Sequence, residues 1–289
     1  MRIRTKKTGF VLALGGGGAR GLAHIGVLKV LEREGVDIKA ITGTSMGAVI
    51  GAMYAVYRDA VEVEEIVRKF LSSSFHEKYA KAFFILSEDP DVLHAPEKIA
   101  RGLGKRFLYV KAASTRAVFS SDILDEAFRH LLPDVRFSDL EVPFACVATD
   151  LQTGKEVILD RGRLLPSVIA SSSIPGFMDP IRISQHLLVD GSTVSVVPVA
   201  AARRLFGGKV LAVEVPMDLE RDAALGTAFE IAMRAAEITG YHLSQTQLSN
   251  ADVSIHPKVG KFTWANFDKL DEMIRAGEVA AQKTLSSLI

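Results

Sequence analysis

The sequence predicts an α/β fold in three layers, with a mainly parallel central sheet between two layers of helices. Two observations lead to this class. Over the first sixty residues, short continuous apolar runs alternate with helical patterns, and this strand–helix–strand–helix order is typical of a parallel sheet. The 289 residues, 48% of them hydrophobic, are also enough to bury a large core around such a sheet.

The first four elements follow from apolar patterns and glycines. Gly9–Leu14 is a continuous apolar run that predicts a buried strand. Apolar residues recur every three positions over 22–31, which predicts a helix that Gly35 is suited to end. A second strand is expected over 36–42. Met46–Tyr57 is apolar nearly all round, which predicts a helix buried on most sides.

The middle of the chain is predicted to be helical. Apolar stripes fit one helix over 63–71 and another over 123–131. Residues 73–118 between them are less regular, and we expect a cap or mobile segment there. Residues 83–86 and the basic N-terminus fit either transient contact with a membrane surface or a core segment and a solvated terminus, and we favour the second interpretation.

Strands return in the second half of the chain. The apolar runs 144–149 and 156–159 flank residues 152–155, which resemble a hairpin turn. Further strands are expected at 187–189 and 210–215, and helices at about 225–248 and 266–288. Because no repeat or linker interrupts the pattern, we expect one domain over residues 1–289. Its core is expected over about 8–215 and its helical C-terminal part over about 220–289.

Composition and charge exclude several classes of function. The net charge is +1, from 35 basic and 34 acidic residues, so the chain has no overall attraction to nucleic acid. Its one cysteine, Cys146, can form no disulfide within the chain, and a Cys-rich metal site is excluded. The sequence shows no secretory signal and no run of about 18 apolar residues, so a cytoplasmic location is expected.

The segment Gly43–Gly47 fits the pattern G-x-S-x-G between a predicted strand and a predicted helix. A nucleophile elbow requires that context, because a sharp strand-to-helix turn lifts the Ser45 hydroxyl clear of the sheet. The tight bend leaves no room for Cβ atoms at Gly43 and Gly47. The helix N-terminus also favours the negative charge that develops in acyl transfer. Ser45 is therefore the predicted nucleophile, the alternative being a chance Gly/Ser turn.

A glycine loop, Gly15–Gly21, follows the first predicted strand and exposes several backbone N–H groups. Gly16, Gly18 and Gly21 satisfy the dinucleotide pattern G-x-G-x-x-G, but the second predicted strand does not end in the acidic residue that would hold a ribose. We favour an oxyanion hole beside Ser45, because neighbouring parallel strands would bring the two glycine segments together.

Ser45 requires a base, and the residue pattern leaves its identity open. Asp150 and Asp190 both stand where a predicted strand meets a turn, and either of them could instead make an Asx turn. A histidine-assisted triad would use His242 or His256, late in the chain as the triad order requires.

These motifs resemble the patatin-like phospholipase family. The resemblance covers most of the chain and rests on the glycine loop, the elbow and the run of Asp190, Gly191 and Ser192, with support from residues 149–154 and 170–177. It implies a dyad of Ser45 as nucleophile and Asp190 as general base, without a catalytic histidine, a metal or a cofactor. The backbone N–H groups of Gly17 and Gly18 would form the oxyanion hole.

Two positions depart from the family pattern, and a third supports it. Ser192 follows Gly191 where the family usually has glycine or alanine, and Gly15 stands where the glycine loop often begins with aspartate. Neither departure removes a catalytic atom. Arg20 would anchor the glycine loop.

The resemblance implies a serine acyl hydrolase of the phospholipase or lysophospholipase type, acting on a lipid or other acyl ester. Three alternatives stay open: a Ser-Asp-His hydrolase, an acyltransferase on a related scaffold, and a catalytically silent regulatory protein that binds lipid or nucleotide. The sequence leaves the acyl chain length, the positional specificity, the physiological role and the oligomeric state open.

Overall fold

A computed structural model of the chain describes residues 9–74, 115, 117–120, 122–219 and 226–287. The basic N-terminus, residues 83–86 and most of the irregular stretch 73–118 lie outside these ranges. Within them, no helix is both long enough and apolar enough to cross a membrane.

A central sheet organises the described part of the chain. Its spatial order is β5-β6-β3-β2-β1-β7-β8, with β4 paired to β3. Neighbouring strands run parallel from β3 through β8, whereas β4, β5 and β6 pair antiparallel, so the predicted mainly parallel sheet is confirmed. The strands are β1 (Gly9–Leu14), β2 (Asp37–Thr44), β3 (Phe144–Asp150), β4 (Glu156–Leu159), β5 (Ile181–Ile183), β6 (His186–Asp190), β7 (Lys209–Val213) and β8 (Val253–Ile255).

Helices cover both faces of this sheet, as expected for three layers. In β1, residues 10, 12 and 14 pack into a large core with α1, α2, α3 and α8, whereas residues 11 and 13 pack against α6 and the end of α7. This alternation is the two-residue period of a strand buried on both faces. The helices are α1 (Ala23–Arg33), α2 (Met46–Tyr57), α3 (Ala60–Leu71), α4 (Asp122–Arg129), α5 (Leu164–Ser171), α6 (Val199–Phe206), α7 (Ala228–Leu248) and α8 (Leu270–Ser286).

The structure differs from the sequence predictions at the ends of two strands and at four short elements that were not predicted. The strand predicted over 36–42 continues to Thr44, and the strand predicted over 210–215 ends at Val213. Four elements lie where no pattern was recognised: α5, α6, β5 and β8. The chain after residue 220 therefore contributes a strand to the sheet as well as two helices.

The strand β3 brings the ends of two other strands to neighbouring positions. Thr44, the last residue of β2, pairs with Val147 in the parallel direction. Asp190, the last residue of β6, pairs with Ala148 in the antiparallel direction. Since Val147 and Ala148 are consecutive, the elbow that follows β2 and the turn that follows β6 meet at one point of the sheet.

Candidate active site

Ser45 occupies the bend between β2 and α2 in a backbone conformation that is rare for a residue with a side chain. Its φ is 52° and its ψ is −123°, outside the regions that L-residues normally occupy. A Cβ atom at Gly47 would collide with the carbonyls of Leu14 and Gly15, and one at Gly43 with the start of α2. Only glycine on each side of Ser45 therefore allows so sharp a turn.

Ser171 holds the backbone of this elbow. The N–H of Ser45 donates to Ser171 Oγ at 3.1 Å, and the Ser171 hydroxyl donates to the carbonyl of Val147 at 2.6 Å. Ser171 is fully buried at the end of α5. Sequence reasoning missed this role, although Ser171 lies within the stretch 170–177 that carries part of the family resemblance.

Asp190 lies beside Ser45, with its side chain buried. Its carboxylate accepts a hydrogen bond from the N–H of Ser192 at 2.8 Å, and the hydroxyl of Thr149 donates to its carbonyl at 3.0 Å. Burial raises the pKa of the Asp190 carboxyl above its ordinary value, while hydrogen bonds from the side chain of Ser45 and from Ser192 offset part of that rise. The structure thus brings Ser45 and Asp190 together.

Asp150, the other aspartate at a strand end, is engaged elsewhere. Its carboxylate accepts hydrogen bonds from the ring of His186 at 3.1 Å, from the Thr153 hydroxyl at 2.9 Å, and from the N–H groups of Gln152 and Leu187. The hydrogen bond with His186 is the largest cause that lowers the pKa of Asp150 to about 2. Asp150 therefore fixes the β3–β4 turn and the start of β6.

His242 and His256, the two histidines considered for a triad, contact residues other than Asp190. His256 Nδ1 donates to the buried Glu214 carboxylate at 3.0 Å, and its Nε2 lies 2.9 Å from the hydroxyl of Ser254. The ring of His242 meets Tyr241 edge-on. In the part of the chain described here, no group of three His, Cys, Asp or Glu side chains is placed to hold a metal ion.

The glycine loop leaves two N–H groups beside the elbow. Gly15, Gly16 and Ala19 each donate to a backbone carbonyl at 2.7–2.9 Å. The N–H groups of Gly17 and Gly18 have no acceptor among the described residues. Backbone hydrogen bonds therefore fix the loop on both sides of Gly17 and Gly18, and these two successive N–H donors are available to a ligand.

The same loop packs directly against Ser45. A Cβ atom at Gly16 would lie 3.2 Å from the Ser45 Cβ and would collide with the Ser192 hydroxyl. A Cβ at Gly21 would meet Met46 of α2, and one at Gly191 would collide with the carbonyl of Val147. These glycines are thus positions where the backbone lies too close to a neighbouring segment to leave room for a side chain.

Two side chains hold the glycine loop in place by donating hydrogen bonds to its carbonyls. Arg20 Nε donates to the carbonyl of Gly17 at 3.2 Å. His24 Nε2 donates to the carbonyl of Gly15 at 2.8 Å from a fully buried position. Burial lowers the pKa of His24 to about 4, so its ring is neutral at physiological pH and keeps this donor. The sequence pattern did not identify this hydrogen bond.

A deep apolar cleft opens beside Ser45, between α2, α3 and α4. It encloses about 1020 Å³ of empty space, including the part open to solvent. Among the described residues that line the cleft, only Ser45, Ser172 and Trp264 have side chains with a polar group. A lining of this kind suits a long hydrocarbon chain better than a charged or strongly polar group. Its walls include Val49, Ile50, Phe70, Leu124, Phe128, Leu131, Ile174 and Met178.

Fold and site together define an α/β protein with a serine at a strand-to-helix elbow, next to a buried carboxylate and an apolar cleft. A family model described as patatin-like phospholipase matches residues 12–203, which is more than half of the chain. The chain therefore belongs to the patatin-like phospholipase family, and the resemblance seen in the sequence is confirmed.

Relatives of known sequence extend the match. An uncharacterized NTE family protein of Mycobacterium tuberculosis is 33% identical over 201 residues, covering 69% of this chain and 47% of its own length. A second from the same organism is 28% identical over 310 residues, covering 99% and 48%. Mouse patatin-like phospholipase domain-containing protein 6 is 30% identical over 223 residues, covering 76% and 14%. The chain thus spans at most about half the length of these curated relatives.

Solved structures show the same fold at low sequence identity. Human GIVD cytosolic phospholipase A2 aligns with a TM-score of 0.52 at 12% identity, covering 100% of this chain and 60% of its own. VipD from Legionella pneumophila aligns with a TM-score of 0.51 at 15% identity, covering 98% and 67%. At this level of identity the comparison supports the architecture alone.

Proposed function

We propose that this protein is a serine acyl hydrolase that cleaves lipid esters, with Ser45 as nucleophile and Asp190 as general base. The observation that carries the proposal is the placement of the Ser45 hydroxyl. It stands on a strained elbow between a buried carboxylate and two N–H donors that have no acceptor among the described residues, at the opening of an apolar cleft. These are the parts that acyl transfer by a serine requires.

In the acylation step, Asp190 accepts the proton of Ser45 while Oγ attacks the ester carbonyl. The N–H groups of Gly17 and Gly18 face the oxygen that becomes negative, and a donor of this kind is worth about 3 kcal/mol of transition-state stabilisation in other enzymes. The tetrahedral intermediate then collapses, and Asp190 returns the proton to the departing alkoxide. The acyl group remains as an ester of Ser45, with its hydrocarbon chain in the cleft.

In the deacylation step, water takes the place of the alcohol. Asp190 removes a proton from the water as its oxygen attacks the acyl carbon, and the same N–H groups hold the second oxyanion. The intermediate then collapses, the bond from the acyl carbon to Ser45 Oγ breaks, and Asp190 returns the proton to Oγ, which releases the carboxylic acid. Burial matters here, because the raised pKa makes the Asp190 carboxylate a stronger base than an exposed aspartate. A carboxylate alone can then do the work that other serine hydrolases assign to histidine.

The cleft and the family support a lipid as the substrate. The cleft walls are almost wholly apolar, so they bind an acyl chain and give little to a short or charged acyl group. The phospholipase domain named in the mouse relative is consistent with this class. A substrate of that kind also implies transient contact with a lipid surface.

The test is ester hydrolysis by the wild type, Ser45→Ala and Asp190→Asn, with p-nitrophenyl esters of increasing acyl chain length. Both variants should lose activity by at least about a thousandfold, because each removes a group that takes part in bond making. The wild type should prefer longer acyl chains over acetate, because each methylene buried in the cleft contributes about 0.8 kcal/mol.

A matched control is Asp150→Asn, which alters the other aspartate at a strand end. It should retain most of the activity, since the four hydrogen bonds of Asp150 lead away from Ser45. Substantial hydrolysis by Ser45→Ala, or loss of activity only in Asp150→Asn, would refute the dyad. A wild type that cleaves no ester would point instead to a regulatory lipid-binding protein.

A further inference from the structure

The cleft contains a hydroxyl that the catalytic scheme does not use. Ser172 follows the last residue of α5 and lines the same cleft as Ser45. Its side chain is buried, with the residue 9% exposed, and its Oγ has no hydrogen-bond partner among the described residues. Leaving a buried hydroxyl unpaired costs about 1–3 kcal/mol, so such an atom in a cleft indicates a ligand that pairs with it.

The hydroxyls of the neighbouring serines all have hydrogen-bond partners. Ser167 donates to the carbonyl of Arg163 at 3.2 Å, and Ser173 donates to that of Ile169 at 2.9 Å. Ser171 binds both Val147 and the elbow. Of these four serines, the one that lines the cleft is the one without a partner.

The position of Ser172 restricts which substrate atom it can meet. The preceding residue, Ser171, holds the N–H of Ser45 at 3.1 Å, so Ser172 lies at the nucleophile's end of the cleft. A lipid ester carries its oxygens at that end, because the acyl chain beyond is hydrocarbon. One ester oxygen, the carbonyl, is assigned to Gly17 and Gly18. The alkoxy oxygen of the leaving alcohol is the remaining acceptor.

We infer that Ser172 is a substrate-contacting residue whose hydroxyl donates a hydrogen bond to the alkoxy oxygen of the ester. The inference rests on the proposed function. In acylation the bond from Ser45 Oγ to the acyl carbon forms and the bond from that carbon to the alkoxy oxygen breaks, with Asp190 delivering the proton. Serine side chains have three staggered χ1 wells, so the hydroxyl can turn toward this oxygen.

Two consequences follow for the chemistry of the site. Deacylation follows the reverse path of acylation, with water in place of the alcohol, so the attacking water oxygen passes through the position of the alkoxy oxygen and meets the same hydroxyl. A thioether-type sulfur is a weak hydrogen-bond acceptor. Ser172 therefore selects oxygen esters over thioesters, and it acts on the step that breaks the bond to the leaving group.

The experiment compares phenyl octanoate with S-phenyl thiooctanoate for the wild type, Ser172→Ala, Ser172→Cys and Ser167→Ala. Ser172→Ala and Ser172→Cys should lower kcat/KM for the oxygen ester by about tenfold and for the thioester by less than about twofold. Ser167→Ala, the matched control on the same helix, should change neither value. The Tm of Ser172→Ala should equal or exceed that of the wild type, because the substitution removes an unpaired buried hydroxyl.

Equal losses on both esters, or no loss on either, would overturn the assignment. A lower Tm for both Ser172 variants would also overturn it, since it would show that the hydroxyl has a structural partner. These outcomes are separate from failure of the proposed function, which would appear as wild-type hydrolysis that survives Ser45→Ala.

Discussion

Burial acts on two residues of the site in the same sense, because it disfavours the charged form of each. It raises the pKa of the Asp190 carboxyl and lowers the pKa of the His24 imidazole to about 4. Asp190 becomes a stronger base, and His24 stays neutral under the glycine loop. Both effects produce pH dependences with a defined sign.

Hydrolysis should increase with pH through the pKa of Asp190. Only the ionised carboxylate can accept the Ser45 proton, and its pKa lies above the ordinary value of 3.8. We expect kcat/KM to rise on a single limb whose midpoint lies above pH 3.8 and then to level off. Initial rates taken within seconds of a jump from pH 7 would measure this limb before acid unfolding intervenes. A profile that stays flat down to pH 4 would contradict the role of Asp190.

Asp190→Asn should stabilise the fold while it abolishes catalysis. A folded-state pKa above the unfolded value means that the folded protein binds the proton more tightly, so stability is lost as pH rises through that pKa. At pH 7 the buried charge is therefore destabilising, and its removal should increase the free energy of unfolding in urea. Asp150→Asn should do the opposite, because hydrogen bonds lower the pKa of Asp150 to about 2. Equal destabilisation by both substitutions would refute the argument.

Stability should fall as the pH drops from about 6.5 to 4 because of His24. The pKa of His24 falls from 6.5 to about 4 on folding, so the unfolded chain binds the proton first. The full stability is present above pH 6.5, and about 3 kcal/mol is lost by pH 4. Urea unfolding of wild type and His24→Gln at several pH values would test this. The difference between the two curves should flatten above pH 7, and a difference without slope would count against it.

At the scale of elements, the elbow between β2 and α2 stores backbone strain. Ser45 has a φ of 52°, a conformation that glycine adopts readily and that costs other residues about 1–3 kcal/mol. Ser45→Gly should therefore be more stable than Ser45→Ala by about 1 kcal/mol, although both are inactive. Thermal unfolding of the two variants side by side would measure this difference. If Ser45→Ala were the more stable, the strain would be absent in solution.

The sequence predicted elements whose signal is local and left out those that depend on partners. β1, α1, β2 and α2 each carry a long apolar run or a clear period, with glycine at their ends. β5 and β8 have three residues each, and α5 is a short apolar helix without a period. Such segments become strands or helices because neighbouring strands and the core select them, which no local pattern records.

The residues of the candidate site also fall into two groups, those that a local pattern predicts and those that only the fold identifies. Ser45 and the glycine loop were predictable because an elbow and a tight loop require particular residues at fixed spacing. Asp150 and Asp190 look alike in sequence, and the pairing of β6 with β3 places Asp190 beside Ser45. His24 and Ser171 hold the glycine loop and the elbow through hydrogen bonds from neighbouring helices, and Ser172 is buried without a partner among the described residues. Distances of that kind are set by the fold.

At the scale of the whole molecule, the helix α8 packs tightly against the helix α1. α8 packs against α1 so closely that a Cβ atom at Gly277 would collide with the carbonyl of Ala23, and one at Gly26 with that of Ile274. Gly277→Ala should therefore destabilise the protein by about 2–3 kcal/mol, because the two backbones must separate. Urea unfolding would measure the loss.

A control for this substitution lies in α7. A Cβ atom at Gly240 would meet only Val196 Cγ2, at 3.9 Å, which is ordinary contact. Gly240→Ala should stabilise the protein by up to about 1 kcal/mol through helix propensity. If both substitutions had the same sign, the close approach of α1 and α8 would not govern stability.

Under the proposed function, the junction at β3 also determines when hydrolysis returns as the chain folds. The elbow forms from neighbouring residues, but Asp190 reaches it only when β6 pairs with β3, a contact between segments far apart in sequence. Contacts of high sequence separation form slowly, because a long loop must close first. During refolding, hydrolysis should therefore return later than helical structure, and its rate of recovery would report the closure of the sheet.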